Sequence, residues 1–219
     1  YIWRFFSTTS DITLSVGKPM DVVGNFVDAQ GRSYDRRGKE VSVRDYFTLR
    51  GNLSEDRQRE EEYTKLLAEG IVERYSAENV VLASHLVAYA VFEMLLHENP
   101  KLDLYGILRL PADDYVFPVA AVEDIVEQMQ NLLYGWQHEE RLQLAPELYG
   151  NASEVVRQGV KNLGLFHKQR PLDFNKEGNI VSFDFRVLYF YHNRLSHYQL
   201  AKYVQWKAEE IEKPFLAND

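Results

Sequence analysis

The segment "VVLASHLVAYAVFEMLL", from Val80 to Leu96, is apolar around almost its whole circumference. A helix with this pattern is either buried in a protein core or spans a membrane. Its 17 residues are fewer than the roughly 20 that a membrane span needs. It also contains Ser84, His85 and Glu93. We therefore predict a buried central helix here, in which His85 is a hydrogen-bonded core residue.

Apolar residues at helical spacing predict further helices on both sides of this segment. The first follows Ser54, a predicted N-cap, and carries an apolar stripe. A second runs from Pro118 to about His138, and a third from Ser153, another predicted N-cap, to about Leu163. A last helix is predicted from Asp184 through "VLYFYHNRLSHYQLAKYVQW". The stripe of the first helix consists of Tyr63, Leu66, Leu67, Ile71 and Tyr75.

The N-terminal part of the chain has a different pattern, typical of strands and turns. "ITLSV", from Ile12 to Val16, alternates apolar and polar residues as a half-buried strand does. Turn signals follow around Gly31 and Gly38. We predict a mainly α protein of the α+β class. A short β-rich segment occupies residues 1–53, and a helical domain occupies residues 54–219.

Composition excludes several kinds of site. The absence of cysteine excludes disulfides, thiolate zinc sites and cysteine nucleophiles. The net charge of −8 opposes general binding of nucleic acid. Residues 1–50, with eight Lys/Arg and six Asp/Glu, are slightly basic. In this segment Arg36, Arg37, Lys39 and Arg44 are candidate contacts for an anionic headgroup or a phosphate, and solvated turn residues are the alternative interpretation.

The stretch "DFNKEGNIVSFD", from Asp173 to Asp184, resembles the calcium loop of an EF-hand. Pro171 opposes a helix entering this loop, and Asp184 is shorter than the Glu that usually closes it. The same residue types form turns. We therefore favour a β-hairpin with strands near 167–172 and 179–184 and a turn at Asn175–Gly178. In this interpretation Asp184 caps the last helix and no metal is bound.

A helix followed by a hairpin is the outline of a winged helix, so the helical domain has a winged-helix-like element near its C-terminus. Arg157, Lys161, Lys168 and Arg170 lie in this element. Such a module contacts DNA or another protein. The acidic chain weighs against DNA, and the alternative stays open.

Catalytic motifs are not recognisable in the sequence. His192 and His197 are five residues apart, which places them on different sides of a helix. No Walker loop, dinucleotide glycine motif or G-x-S-x-G is present. We predict no catalytic residue, no metal site and no cofactor in these 219 residues.

Three stretches of the chain resemble bacterial glycerol-3-phosphate and acylglycerol-phosphate acyltransferases of phospholipid synthesis. "ITLSVGKPMDVVGNFVD", residues 12–28, is similar to the end of their catalytic domain, where Gly-x-Pro follows a short strand. "NVVLASHLVAYAVFEMLL", residues 79–96, is similar to the first apolar helix of their C-terminal region. "VLYFYHNRLSHY", residues 187–198, resembles a Tyr-Tyr-x-Asn-Asn-x-x-His segment, in which Tyr189, Asn193 and His197 match and Arg194 departs.

The catalytic signature of that family is a His followed, after four residues, by an Asp, and it is absent here. His97 and His167 each have an Asp six positions on instead. The resemblance implies that residues 1–53 end a catalytic domain and that residues 54–219 are its helical accessory domain. On this basis the fragment alone is inactive, and Tyr189, Asn193 and His197 are structural.

The same resemblance implies the partners of the parent enzyme. These are the upstream catalytic domain, a glycerol phosphate, and acyl-CoA or acyl carrier protein as acyl donor. They also include a membrane surface, and they do not include nucleic acid. The implied location is the bacterial cytoplasm, at the inner face of the cytoplasmic membrane.

Overall fold

The computed structural model describes residues 13–165 and 167–206. These residues form two compact units, one of residues 14–79 and one of residues 80–206. The described chain is mainly α-helical, with seven α-helices and several short strands, which confirms the predicted class. The boundary expected after residue 53 lies inside the first unit, because helix α2 (Arg57–Ala77) belongs to the same unit as the strands before it.

The first unit contains a three-stranded antiparallel sheet of β1 (Phe26–Val27), β2 (Ser33–Tyr34) and β3 (Glu40–Val41), in that order. Tight turns join the strands. The backbone N–H groups of Gly31 and Gly38 donate to the carbonyls of Asp28 and Asp35, at 3.0 and 2.9 Å. Both glycines have positive φ, at +79° and +77°, which explains why glycine occupies these positions. The two predicted turns are confirmed.

The strand predicted at 12–16 is not formed over residues 13–16, where Leu14 and Val16 are exposed. Ile12 lies outside the described residues. Alternation of residue types does not make a strand without a neighbouring strand to pair with, and residues 13–16 have no such partner among the described residues.

The remainder of the first unit is a short helix, a hairpin and one long helix. Helix α1 (Val43–Phe47) leads into β4 (Thr48–Leu49) and β5 (Asn52–Leu53), and α2 follows. The N-cap of α2 is Asp56, whose side chain accepts from the Arg59 backbone N–H at 3.3 Å. The prediction of Ser54 was wrong, because the Ser54 N–H extends the hairpin by donating to the Phe47 carbonyl at 3.1 Å.

The apolar stripe predicted for α2 is only partly buried. Tyr63, Leu66 and Leu67 are half-buried, whereas Ile71 and Tyr75 are exposed, Tyr75 by 76%. Gly70 is the buried residue of this helix. Its Cα faces the turn at Gly24, where an added Cβ would lie 3.8 Å from the Gly24 carbonyl oxygen.

The second unit is built around α3 (Ala83–Glu98), the predicted central helix, which is confirmed as buried. Every residue from Leu86 to Phe92 is at most 1% exposed. Three later helices pack against α3: α5 (Val119–His138), α6 (Ala152–Asn162) and α7 (Phe185–His192). The remaining elements of this unit are β6 (Val80–Val81), α4 (Leu104–Ile107), β7 (Val116–Phe117), α5 (Val119–His138), β8 (Gln143–Leu144), α6 (Ala152–Asn162), β9 (Leu172–Phe174), β10 (Ile180–Ser182) and α7 (Phe185–His192), with 3₁₀ turns at Ala112–Asp114, Pro146–Tyr149, Ser196–Tyr198 and Leu200–Tyr203.

A three-stranded sheet completes the winged-helix-like part of this unit. Strands β9 and β10 form the predicted hairpin, and β7 pairs with β10 on its other side. The last strand of the described residues, β10, is therefore the central strand of the sheet. Without the short helix α4 and the strand β8, the element order from α3 to β10 is helix–strand–helix–helix–strand–strand, and with this strand order it resembles a winged helix.

Helix termini differ from the predictions at two places in this unit. Helix α6 is capped by Asn151, which accepts from the Glu154 N–H at 2.9 Å, and not by Ser153. Helix α7 ends at His192, whereas one continuous helix was expected. Beyond it the chain forms two 3₁₀ turns separated by Gln199, which is left-handed with φ +53° and so interrupts any helix. Among the described residues, none of the helices combines the length and the apolar content that a membrane crossing requires.

Candidate functional site

The segment that carries the family resemblance begins at helix α7, which Asp184 positions. The Asp184 carboxylate accepts from the backbone N–H groups of Arg186 and Val187, at 2.8 and 3.4 Å. These hydrogen bonds and the adjacent Arg186 guanidinium hold the pKa of Asp184 below its ordinary value, against the partial burial that raises it. The predicted capping role of Asp184 is confirmed.

A buried polar pair joins α7 to α3. The His192 Nε2 lies 2.8 Å from the Glu93 Oε1, and His192 is 6% exposed. The Tyr89 ring lies parallel to the His192 ring, with centroids 4.7 Å apart and an interplanar angle of 1°. Burial raises the pKa of Tyr89 well above its ordinary value, and the nearby Glu93 carboxylate adds to the rise. The Tyr89 hydroxyl also accepts from the Ala201 N–H at 3.3 Å, so this cluster ties three segments together.

The residues that match the family segment occupy different surroundings. Tyr189 is half-buried, with its ring 5.1 Å from the Phe92 ring. Asn193 and His197 are exposed, and the His197 ring is tilted by 39° against the Tyr198 ring, with centroids 3.8 Å apart. Partial burial still lowers the pKa of His197. Of the three residues, Tyr189 is the one that enters the packing of the unit.

The histidine that contacts a carboxylate is His192. Sequence reasoning rejected it because its spacing from His197 is wrong for a metal pair. Its partner, Glu93, is 99 residues away in the chain. A signal was nevertheless present, since Glu93 is the one acid in the apolar segment from Val80 to Leu96. A buried acid of this kind requires a polar partner.

His85 differs from the hydrogen-bonded core residue that was expected. It is only partly buried, and its Nδ1 atom is inaccessible to solvent without a hydrogen-bond partner among the described residues. Burial lowers the pKa of His85 to about 4, and the Arg194 guanidinium contributes to the shift. His85 is therefore neutral at pH 7. The Nδ1 of His192 is likewise buried without such a partner.

The predicted basic candidates all lie on the surface of the first unit. Arg36, Arg37, Lys39 and Arg44 are exposed. Arg37 and Lys39 belong to the turn after β2, where their backbone N–H groups donate to the Asp35 carboxylate at 2.8 and 2.9 Å. Arg44 lies on α1. The structure thus brings three of the four together at one turn and leaves Arg44 in a separate element.

Arg36 also lines a cleft of about 400 Å³ in the same unit, a volume within the range of small-molecule sites. Its charge is partly balanced there, since its Nη2 lies 4.0 and 3.9 Å from carboxylate oxygens of Glu69 and Glu73. The cleft contains acids and bases in equal number. It is lined by Met20, Gly24, Asn25, Phe26, Tyr34, Asp35, Arg36, Gly70, Glu73, Arg74 and Ala77.

The stretch from Asp173 to Asp184 uses its polar side chains to build the hairpin. The Asn175 side chain accepts from the N–H groups of Glu177 and Asn179, at 3.1 and 2.9 Å, and Gly178 has φ +84°. Strand β9 begins at Leu172, later than predicted. In residues 13–165 and 167–206, no three His, Cys, Asp or Glu side chains are grouped as metal ligands.

The basic residues of the winged-helix-like part are exposed. Arg157 and Lys161 lie four residues apart on the solvent side of α6, and Lys168 and Arg170 lie in the loop before β9. Glu154 shares the exposed side of α6. This surface is weakly basic within an acidic chain.

Comparison of the chain with protein-family models, with curated proteins and with solved structures gave no match in any of the three. The family resemblance therefore depends on the three quoted stretches and on where their residues lie.

Proposed function

We propose that this chain is the C-terminal accessory part of a bacterial glycerolipid acyltransferase. The parent enzyme transfers an acyl chain from acyl-CoA or acyl carrier protein to a hydroxyl of a glycerol phosphate. The accessory part supports the catalytic domain and contains no catalytic residue of its own. The proposal locates the parent in the cytoplasm, at the inner face of the cytoplasmic membrane.

One observation carries this proposal: two of the stretches that resemble the family pack against each other. Helix α3 lies in the stretch 79–96, and α7 lies in the stretch 187–198. Phe92 packs on Tyr189 at 5.1 Å, and Glu93 pairs with His192 at 2.8 Å. Sequence features that are far apart in the chain thus form one packed unit. If the family retains this packed unit, both stretches should be retained together, because each packs on the other.

The chemistry of the parent enzyme agrees with a catalytic domain upstream and a supporting domain in this chain. Acyl transfer to a hydroxyl requires a general base near the nucleophilic oxygen. In this chain the histidine that pairs with an acid is His192, and it is 6% exposed. A histidine enclosed in this way has no room for a glycerol phosphate, so the Glu93–His192 pair stabilises the unit and is not a catalytic dyad.

A direct assay tests the proposal. The 219-residue chain and its parent open reading frame are each incubated with glycerol-3-phosphate and an acyl donor, and lysophosphatidic acid is measured. The parent should form product and the chain alone should form none. Turnover by the chain alone, or a parent sequence without His-x₄-Asp, would overturn the proposal.

A matched pair of variants of the parent tests the supporting role. Tyr189→Ala removes a ring that packs on Phe92, and it should lower both thermal stability and acyl transfer. Tyr105→Ala removes a tyrosine that is 74% exposed, and it should change neither. Equal effects of the two variants would contradict a role that depends on packing.

A second candidate function is a winged-helix-like module that contacts DNA. The three-stranded sheet β7-β10-β9 favours this candidate. It adds a third strand, β7, to the helix and hairpin that the sequence predicts. Fluorescence anisotropy with a 20-base-pair duplex, at two salt concentrations, tests it. DNA binding should weaken in the double variant Arg157→Gln/Lys161→Gln. It should persist in Lys202→Gln, a control at an exposed lysine. Absence of binding at low salt rules the candidate out.

A further inference from the structure

Helix α7 presents an exposed face in which aromatic and basic residues alternate. The exposed residues Phe183, Arg186, Phe190 and Arg194 follow one another at spacings of three, four and four. Within α7, Arg186 and Phe190 are four residues apart and lie on one side of the helix. Phe183 precedes the N-cap Asp184, and Arg194 follows the end of the helix, where its guanidinium lies near the Phe190 ring. Phe183 and Phe190 are 46% and 55% exposed, which is high for phenylalanine.

The loop before β9 extends this face. The Phe183 N–H donates to the Pro171 carbonyl at 3.2 Å, so the exposed Arg170 is one residue from this backbone contact. The His167 ring lies 5.7 Å from the Tyr191 ring of α7, so the exposed Lys168 is one residue from a contact with this helix. We define the aromatic–basic face as Lys168, Arg170, Phe183, Arg186, Phe190 and Arg194.

The positive charges of this face are largely uncompensated. Within residues 13–165 and 167–206, no ion pair within 4.0 Å engages Lys168, Arg170 or Arg194. The Arg194 guanidinium lies 6.0 Å from the Phe190 ring. Arg186 pairs with Asp184 at 3.3 Å and stays 75% exposed. The face therefore combines exposed cations with two exposed phenyl rings, on a chain whose net charge is −8.

We propose that the aromatic–basic face docks on an anionic lipid bilayer. Phenyl rings on one side of a helix insert at the boundary between headgroups and acyl chains, and surrounding Lys and Arg contact anionic headgroups. Phenylalanine has no hydrogen-bonding group to satisfy, so its transfer from water into this boundary is favourable. The face thus supplies both contributions, apolar area and charge, that surface binding to a membrane requires.

This surface differs from the basic turn of the first unit, and it requires no acyl transfer. Arg37 and Lys39 also carry exposed charge, but the residues between them and on either side include no exposed aromatic ring. Charge alone predicts binding that salt abolishes. The aromatic–basic face instead predicts binding with a part that salt does not remove.

Co-sedimentation of the 219-residue chain with vesicles tests the inference. Vesicles of phosphatidylcholine alone are compared with vesicles containing 30% phosphatidylglycerol (about a third anionic lipid, enough to attract basic residues). The assay contains no acyl donor or acceptor, so it is independent of the acyltransferase proposal. We expect clear binding to the anionic vesicles, weaker binding to neutral vesicles, and partial loss at high salt.

Variants separate the two contributions. Each charge removed, in Lys168→Gln or Arg194→Gln, should weaken binding about fivefold. Phe190→Ser should weaken the binding that remains at high salt. Lys101→Gln, at an exposed lysine outside the face, is the matched control and should bind as the unchanged chain does. Thermal unfolding checks that each variant is folded.

Three outcomes would overturn the inference. Equal binding to neutral and anionic vesicles would remove the role of charge. An equal loss in Lys101→Gln would show that binding follows total charge and not this face. Binding of duplex DNA that vesicles cannot compete away would assign the face to nucleic acid instead.

Discussion

Gly159 lies where helix α6 crosses helix α3, and its replacement by alanine tests the packing of the second unit. An added Cβ would lie 2.5 Å from the Val87 Cγ2 and 2.7 Å from the Ala83 carbonyl oxygen. Cβ atoms do not approach other atoms this closely. One contact is a backbone carbonyl and the other a buried, stiff β-branched side chain, so the two helices must separate.

The expected magnitude comes from two opposing contributions. Replacing glycine by alanine inside a helix normally stabilises it by about 1 kcal/mol. Overpacking of a tight core costs about 1–3 kcal/mol, and here the overlap is at the severe end. We expect Gly159→Ala to lower the free energy of unfolding by roughly 1–2 kcal/mol. Urea denaturation, monitored by circular dichroism, measures this change in the free energy of unfolding.

The matched control is Gly135→Ala in helix α5. Nothing lies within 4 Å of a Cβ added at Gly135, which is exposed. The same substitution should therefore stabilise the protein, by about 0.5–1 kcal/mol. We therefore predict that the two substitutions change the free energy of unfolding in opposite directions. If Gly159→Ala is also stabilising, α3 and α6 do not approach each other as described.

Three further predictions concern polar groups. Glu93→Leu should leave the buried His192 Nε2 without its partner and destabilise the protein by about 1–3 kcal/mol, and an unchanged urea midpoint would contradict this. Because the pKa of His85 is lowered to about 4, the unfolded chain binds its proton first as pH falls. Stability that is present above pH 6.5 should be lost towards pH 4, by up to about 3 kcal/mol. His85→Asn should flatten that dependence, and an unchanged pH profile would refute it. Asp184→Ala should cost about 1 kcal/mol by removing the cap of α7, whereas Asp184→Asn should cost less. Equal losses in the two variants would contradict the capping role.

Elements defined by local pattern were predictable from the sequence. The helix around Phe92 is apolar on all sides, and burial is the consequence. The helix after Pro118 has its first turn fixed by that proline and its inner side by regular apolar spacing. The turn at Asn175–Gly178 follows from residue types that favour it. In each case the cause lies within a few residues of the effect.

Two kinds of feature were not predictable from the sequence: those for which neighbouring residues compete for one role, and those that join residues far apart in the chain. Ser54 and Asp56 are both good caps, and pairing of Ser54 with the β4–β5 hairpin decides between them. Helix α7 ends at His192, and the turn at residues 193–195 that follows it has no signal in the residue types. The Glu93–His192 pair joins two helices across 99 residues, so sequence spacing carries no information about it.

The position of β10 has a consequence for biosynthesis. The central strand of the sheet is the last to be made, and it pairs with β7, more than 60 residues earlier. Helix α3 emerges from the ribosome long before α5, α6 and α7, which cover it. Until residue 192 is available, an apolar helix lacks part of its cover, and such intermediates aggregate readily. The order of synthesis therefore makes this unit dependent on rapid completion of its own C-terminal third.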